Sequence, residues 1–124
     1  MKRMFVLALL VVALGAKTTV GQQYAGTANQ CLREYYDSNN YGWLTYENTC
    51  ALDLHVVIVA ISGRNIGSMD LGAGRHDGPG LTRGEVSAAG GVEAYACRAG
   101  YHPVDGNDNQ IYARPVAQYR CKRS

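Results

Sequence analysis

Four cysteines, Cys31, Cys50, Cys97 and Cys121, sit in a chain of 124 residues whose first stretch reads as an export signal. That combination constrains the fold more than any other feature. An even number of cysteines in an exported chain reads as disulfides, and two bridges let a small domain hold its shape with a modest core. Zinc is the competing use, but no Cys-x-x-Cys or His-x-x-x-His pairing occurs, so no metal is expected. Pairing Cys31 with Cys50 and Cys97 with Cys121 encloses one turn-rich loop between candidate strands in each case. Chain entropy gives about 3 kcal/mol for either bridge and about 4 kcal/mol for a longer Cys50–Cys97 loop. That gap is too small to choose, and the assignment rests on proximity.

The export reading comes from Lys2 and Arg3, an apolar run from Met4 to Leu14, and a small, polar exit. As a helix rising about 1.5 Å per residue, that run would cross only about half of a bilayer's hydrocarbon core. A cleaved signal over 1–21 is expected, with processing after Gly21 or Gly15, and a single secreted or periplasmic domain over 22–124. The whole chain carries 12 Lys+Arg against 10 Asp+Glu, but Lys2, Arg3 and Lys17 fall in the signal. The remainder is slightly acidic, so the basic balance says nothing about nucleic acid. Only "RCKRS" at the end is locally basic, and reads as a solvated tail. Neither a nucleic-acid partner nor a membrane span is expected, and a monomer is.

Period-two patterns dominate the rest. "WLTYENTC" alternates with aromatic and β-branched residues, and "VEAYACR" and "PVAQYRC" read the same way. "CLREYY" fits a short strand or a helical turn, and residues 22–30 read as a loose lead-in. "DLHVVIVAIS" is the strongest element. Leu54, Val56, Ile58 and Ala60 occupy one face, and Val57, Val59 and Ile61 the other, which predicts a strand covered on both sides. Between Gly63 and Gly91 lie nine of the chain's 15 glycines. Short edge strands and loops are expected there, with "SMDL" and "GEVSA" as the paired pieces. No helical periodicity persists after the signal. The expected fold is an all-β domain, a small β-sandwich or barrel of about five to seven strands with two disulfides and a glycine-rich loop region.

Candidate chemistry is sparse. "GAGRHDG" has the glycines of a phosphate loop, but Pro79 and Gly80 follow where a helix would have to begin. "DGNDN" carries Asp105 and Asp108, yet it lacks the glycine and downstream glutamate of a calcium loop and suits a plain turn. No Gly-x-Ser-x-Gly turn accompanies His55, His76 or His102. None of the ten acids forms a recognisable pair for glycoside hydrolysis. Nine tyrosines and one tryptophan are the richer signal, because a tyrosine ring packs while its hydroxyl stays wet.

The stretch "ACRAGYHPVDG" locally resembles the Cys-x-x-Gly-Tyr segment of sushi modules, but Trp43 precedes the second cysteine and the spacings are too long. Over residues 43–97 the order "WLTYENTC", "HVVIVAI", "LGAG", "AYAC" resembles small exported bacterial proteins of unknown role. That resemblance implies an extracytoplasmic β-domain and carries no catalytic residue across. The expected function is therefore a non-catalytic module binding a wall, glycan or protein, or inhibiting an enzyme, without a cofactor. The expected contact residues are Arg75 and His76 in the loop Gly72–Gly80, with Tyr41 and Tyr101. A small secreted hydrolase is the alternative, and two buried acids or an aligned His–Ser pair in one pocket would favour it.

Overall fold

A computed structural model describes residues 23–124. The export signal expected over 1–21 lies outside them. Among the described residues the chain forms nine strands, seven of them of four residues or more: β1 (Tyr24–Ala25), β2 (Leu32–Asp37), β3 (Trp43–Asn48), β4 (Leu54–Ala60), β5 (Arg64–Leu71), β6 (His76–Asp77), β7 (Val92–Arg98), β8 (Tyr101–Val104) and β9 (Arg120–Arg123). They make three antiparallel three-stranded sheets, ordered β1-β9-β8, β2-β3-β6 and β5-β4-β7. The all-β class is thus observed.

Strand β4 organises the molecule as its pattern predicts. Leu54, Val56 and Ile58 share a core with Leu44 and Tyr46 of β3, Leu71 of β5, and Ala94 and Ala96 of β7. On the other face Val57 and Val59 join Tyr95 and Ile111, with Val116 and Tyr119 packed against them. One face of the central sheet therefore meets the β2-β3-β6 sheet, and the other meets the segment between β8 and β9. Ile61 departs from expectation. It lies past the strand end, 42% exposed, in a turn.

The disulfides are Cys31–Cys50 and Cys97–Cys121, 19 and 24 residues apart in sequence. The first closes the open end of the β2–β3 hairpin, beside the Leu32–Asn48 pair. The second ties β7 of the central sheet to β9 of another. Loops of this size lower the unfolded chain's entropy by about 3 kcal/mol each. Two intrachain disulfides fit an oxidising, extracytoplasmic compartment. Among the described residues no helix is long and apolar enough to cross a membrane.

Asn48 is the polar node of the first core. It is fully buried, and its amide nitrogen donates to the carbonyls of Leu52 (2.7 Å) and Leu71 (3.0 Å). Its side-chain oxygen accepts from the Cys50 backbone N–H at 3.0 Å. One side chain thus turns the chain out of β3, places the half-cystine and pins the end of β5.

Three expectations are corrected. "GEVSA" is not a strand but part of a short helix, α1 (Arg83–Ala88). Thr82 accepts from the Glu85 N–H while the Glu85 carboxylate accepts from the Thr82 N–H, a reciprocal cap that starts a helix in spite of Gly84. "SMDL" pairs instead with β4, through a strand bulged opposite Ile58 and Val59. "PVAQYRC" becomes strand only at Arg120, because the Tyr95 hydroxyl takes both the N–H and the carbonyl of Val116 and holds that stretch against the second core. Residues 24–29 are not a loose lead-in either. Strand β1 pairs with β9, and Asn29 bonds to the backbone of Ala94 and Ala96.

The glycine-rich loop is likewise held rather than free. Residues 74–81 run along β3, with the Asn48 N–H on the Arg75 carbonyl (2.9 Å) and the Leu44 N–H on the Leu81 carbonyl (2.8 Å). Gly78 permits this approach: a Cβ there would stand 2.0 Å from the Leu44 oxygen.

Three outcomes follow for stability. Asn48→Ala leaves the Leu71 carbonyl unpaired in the core and frees the Leu52 carbonyl and Cys50 N–H at its edge, and should cost about 2–4 kcal/mol in urea unfolding. Gly78→Ala should cost about 2 kcal/mol or more and raise amide exchange at Leu44 and Asn48 selectively. Tyr24 donates to Asp108 at 2.7 Å, and Arg120 and Lys122 flank the same carboxylate. The Tyr24 bond, helped by the two cations, holds the Asp108 pKa below its ordinary value. The stability advantage over Tyr24→Phe should be complete above about pH 4 and fade as pH falls below it, read as converging thermal midpoints.

Candidate functional site

The turn between β2 and β3 exposes the most conspicuous side chain. Tyr41 has φ +57° and Gly42 φ +69°, and the Trp43 N–H closes onto the Asn40 carbonyl at 3.0 Å. Positive φ at both central positions is the backbone of mirror-image hairpin turns, where Asn-Gly is preferred. A tyrosine there costs about 1–2 kcal/mol relative to a residue that accepts the left-handed region. Its ring is 83% exposed and leans on Trp43, centroids 5.0 Å apart and planes tilted by 39°.

Strand alternation puts Trp43, Thr45 and Glu47 on the outer face of β3, and β6 pairs His76 opposite Glu47. Trp43 and His76 therefore line one shallow cleft of about 190 Å³ with Asn40, Thr45 and Asp77, on a floor completed by Gly78 and Gly80. That is smaller than the roughly 300–1,000 Å³ of a drug-sized site and suits a single ring held at a surface. The apolar face of the cleft comes from Trp43, against which Tyr41 leans from outside the lining, and hydrogen-bonding groups come from Asn40, His76 and Asp77. Asp77 also accepts from the Gly78 N–H at 2.8 Å, which fixes its carboxylate.

Of the four residues expected to make contact, the structure places His76 in the cleft lining and Tyr41 beside it, against Trp43. Arg75 is exposed but lies one residue earlier in the alternation, outside the cleft lining, and its backbone is bonded to Asn48 and Gly72. Tyr101 lies elsewhere, in a hollow of about 370 Å³ with His55, Asp70 and Ser124. Sequence reasoning passed over Trp43, Asn40 and Asp77 as contacts. The unusual Asn-Tyr-Gly-Trp turn was the signal available.

The Tyr101 hollow is where hydrolytic parts come nearest. His55 Nδ1 bonds to Asp70 at 2.9 Å, and His102 Nδ1 to the Ser124 hydroxyl at 3.1 Å. A nucleophile relay needs one imidazole bonded to the hydroxyl at one nitrogen and to the carboxylate at the other. Here the two bonds belong to two different histidines. Asp70 is also 91% exposed, where water competes for it. In the aromatic cleft Asp77 is the one carboxylate among the lining residues, which leaves the two-carboxylate chemistry of glycoside cleavage unassembled there. In the "DGNDN" turn Asp105 accepts from the N–H groups of Asn107 and Asn109, as an ordinary turn requires.

In the fold, Asn48 bonds to Leu71, and "HVVIVA" pairs with the strand that carries "AYAC". No protein-family model, characterised protein or solved structure matches the chain.

Proposed function

We propose that this protein is a secreted, non-catalytic binding module and that its ligand is a glycan, held at the Tyr41–Trp43 platform. The observation that carries this reading is Tyr41 itself, a large aromatic kept in a left-handed turn and almost wholly in water. Its burial contributes nothing to the core, and a strained residue that folding does not need points to contact with something else. The C–H face of a pyranose packs on tilted aromatic rings, while its hydroxyls bond to amide, imidazole and carboxylate groups at the rim. Asn40, His76 and Asp77 supply those three groups beside the rings. The disulfides and the doubly covered β4 support the module reading, since they hold a surface rigid outside the cell.

Trp43 is the only tryptophan in the chain, so its fluorescence reports directly on the cleft. Titration with cell-wall and storage oligosaccharides should give a saturable spectral change with at least one of them. Tyr41→Asn suits the turn better and should leave the thermal midpoint equal or higher, while binding weakens about tenfold or more, about 1.4 kcal/mol. Asp77→Asn should weaken binding with little change in fold. Unchanged affinity in Tyr41→Asn would move the site elsewhere. Cleavage of the sugar that is lost on mutating one histidine or acid would replace this reading with the hydrolase.

A further inference from the structure

Two carboxylates border the Trp43 cleft. Asp77 lines it, and Asp37 stands directly across from Trp43 in the β2–β3 register. Residues opposite one another on paired antiparallel strands share a face, so Asp37 lies beside the same ring. Neither carboxylate forms an ion pair among the described residues. Each is instead held through one oxygen by a backbone N–H, that of Asn39 for Asp37 (3.0 Å) and that of Gly78 for Asp77 (2.8 Å). Both negative charges are therefore fixed in place and uncompensated.

Thr45 adds an acceptor from below. It is 3% exposed, lines the cleft, and donates its hydroxyl proton to the Trp43 carbonyl at 3.0 Å. With that proton committed, it offers a ligand only lone pairs. Asn40, His76 and the Trp43 indole are the lining side chains that can donate. Neither lysine nor arginine lines the cleft. Arg33, on the same sheet, bonds to Glu47 at 2.7 Å and stacks on Tyr35 at 4.3 Å, and the stem of Arg75 lies against Gly72 outside the lining.

We propose that the cleft takes a glycan free of acidic groups, and that Asp37 and Asp77 are the selectivity residues that turn uronic-acid and sulfated chains away. This rests on the glycan reading of the cleft and names the class of glycan. A sugar hydroxyl is donor and acceptor at once, so it can donate to Asp77 or Thr45 and accept from Asn40 or His76. Oxidising a hydroxymethyl group to a carboxylate removes that donor and sets like charges against each other. Discrimination then comes from the penalty on the wrong ligand, as charge juxtaposed with like charge supplies.

The probes are cellotetraose, maltotetraose and tetra-N-acetylchitotetraose, each as the parent, after C6 oxidation to the uronate, and as the methyl ester of that uronate. Trp43 fluorescence of the whole protein should saturate with at least one parent. Its uronate should bind about tenfold more weakly or worse at low salt, and the gap should narrow as salt screens the charges. The methyl ester has lost the same hydroxyl without gaining a charge, so it should stay close to the parent. Asp37→Asn keeps an oxygen for the Asn39 N–H, and both it and Asp77→Asn should narrow the gap between parent and uronate by about threefold. A uronate that binds as tightly as its parent, an ester as weak as the free acid, or a gap unchanged in both Asn variants overturns the selectivity and leaves the glycan reading standing. Absence of saturation with every probe overturns both.

Discussion

A strand that is apolar on both faces cannot stand at a surface, and β4 imposes that constraint on the whole chain. Val56, Val59 and Ala60 are completely buried, and neighbouring side chains of β4 are nearly so. Each such side chain is worth about 1.5–3 kcal/mol only if both sides of the sheet are covered. A chain with about 100 described residues has little left for the covers. One is the β2-β3-β6 sheet, and the other is the irregular segment ending in Tyr119. Each cover is tied at one end by a disulfide, Cys31–Cys50 for the hairpin and Cys97–Cys121 for the strand that follows the segment. The second bridge therefore ties its cover directly to the central sheet, while the first holds the ends of the hairpin cover together.

Polar side chains complete what the apolar pattern cannot specify. Asn48 joins three chain segments from inside the first core, and the hydroxyls of Tyr95 and Tyr119 hold the irregular cover by backbone groups of Val116 and Ala96 in the second. Tyr95 and Tyr119 also meet edge to face, with centroids 5.1 Å apart. A cover without regular strands has backbone groups to satisfy, and tyrosines can satisfy them while filling volume. The abundance of tyrosine is thus largely structural. Tyr41 stands apart, 83% exposed with its ring against Trp43.

Two hollows border the β2-β3-β6 sheet and differ in character. The outer face presents aromatic rings and mixed polar groups on a turn whose geometry disfavours the residue it holds. The edge toward β7 presents Glu34 and Glu93 beside the buried Tyr46. A departure from the cheapest local choice, Tyr in place of Asn at 41, marks the first of them.

The β class, the two-faced strand and the pairing of neighbouring cysteines were legible in the residues, because alternation and loop-scale proximity are local properties of a chain. The helix at 83–88 was misread as strand, because six residues are too few to show a helical period and Thr82-x-x-Glu85 was its one local signal. Tertiary structure alone decided the rest. Whether 115–119 became strand depended on the Tyr95 hydroxyl, which reaches Val116 from another element. Residues 74–81 became a partner of β3 because Gly78 lets the two backbones touch. His76 joined Trp43, while Tyr101 went to a different hollow, because strand pairing, not sequence distance, sets which side chains share a face. Glu34, Tyr46 and Glu93 have no relation in sequence, and only the packing of β2 and β3 against β7 brings them to one hollow.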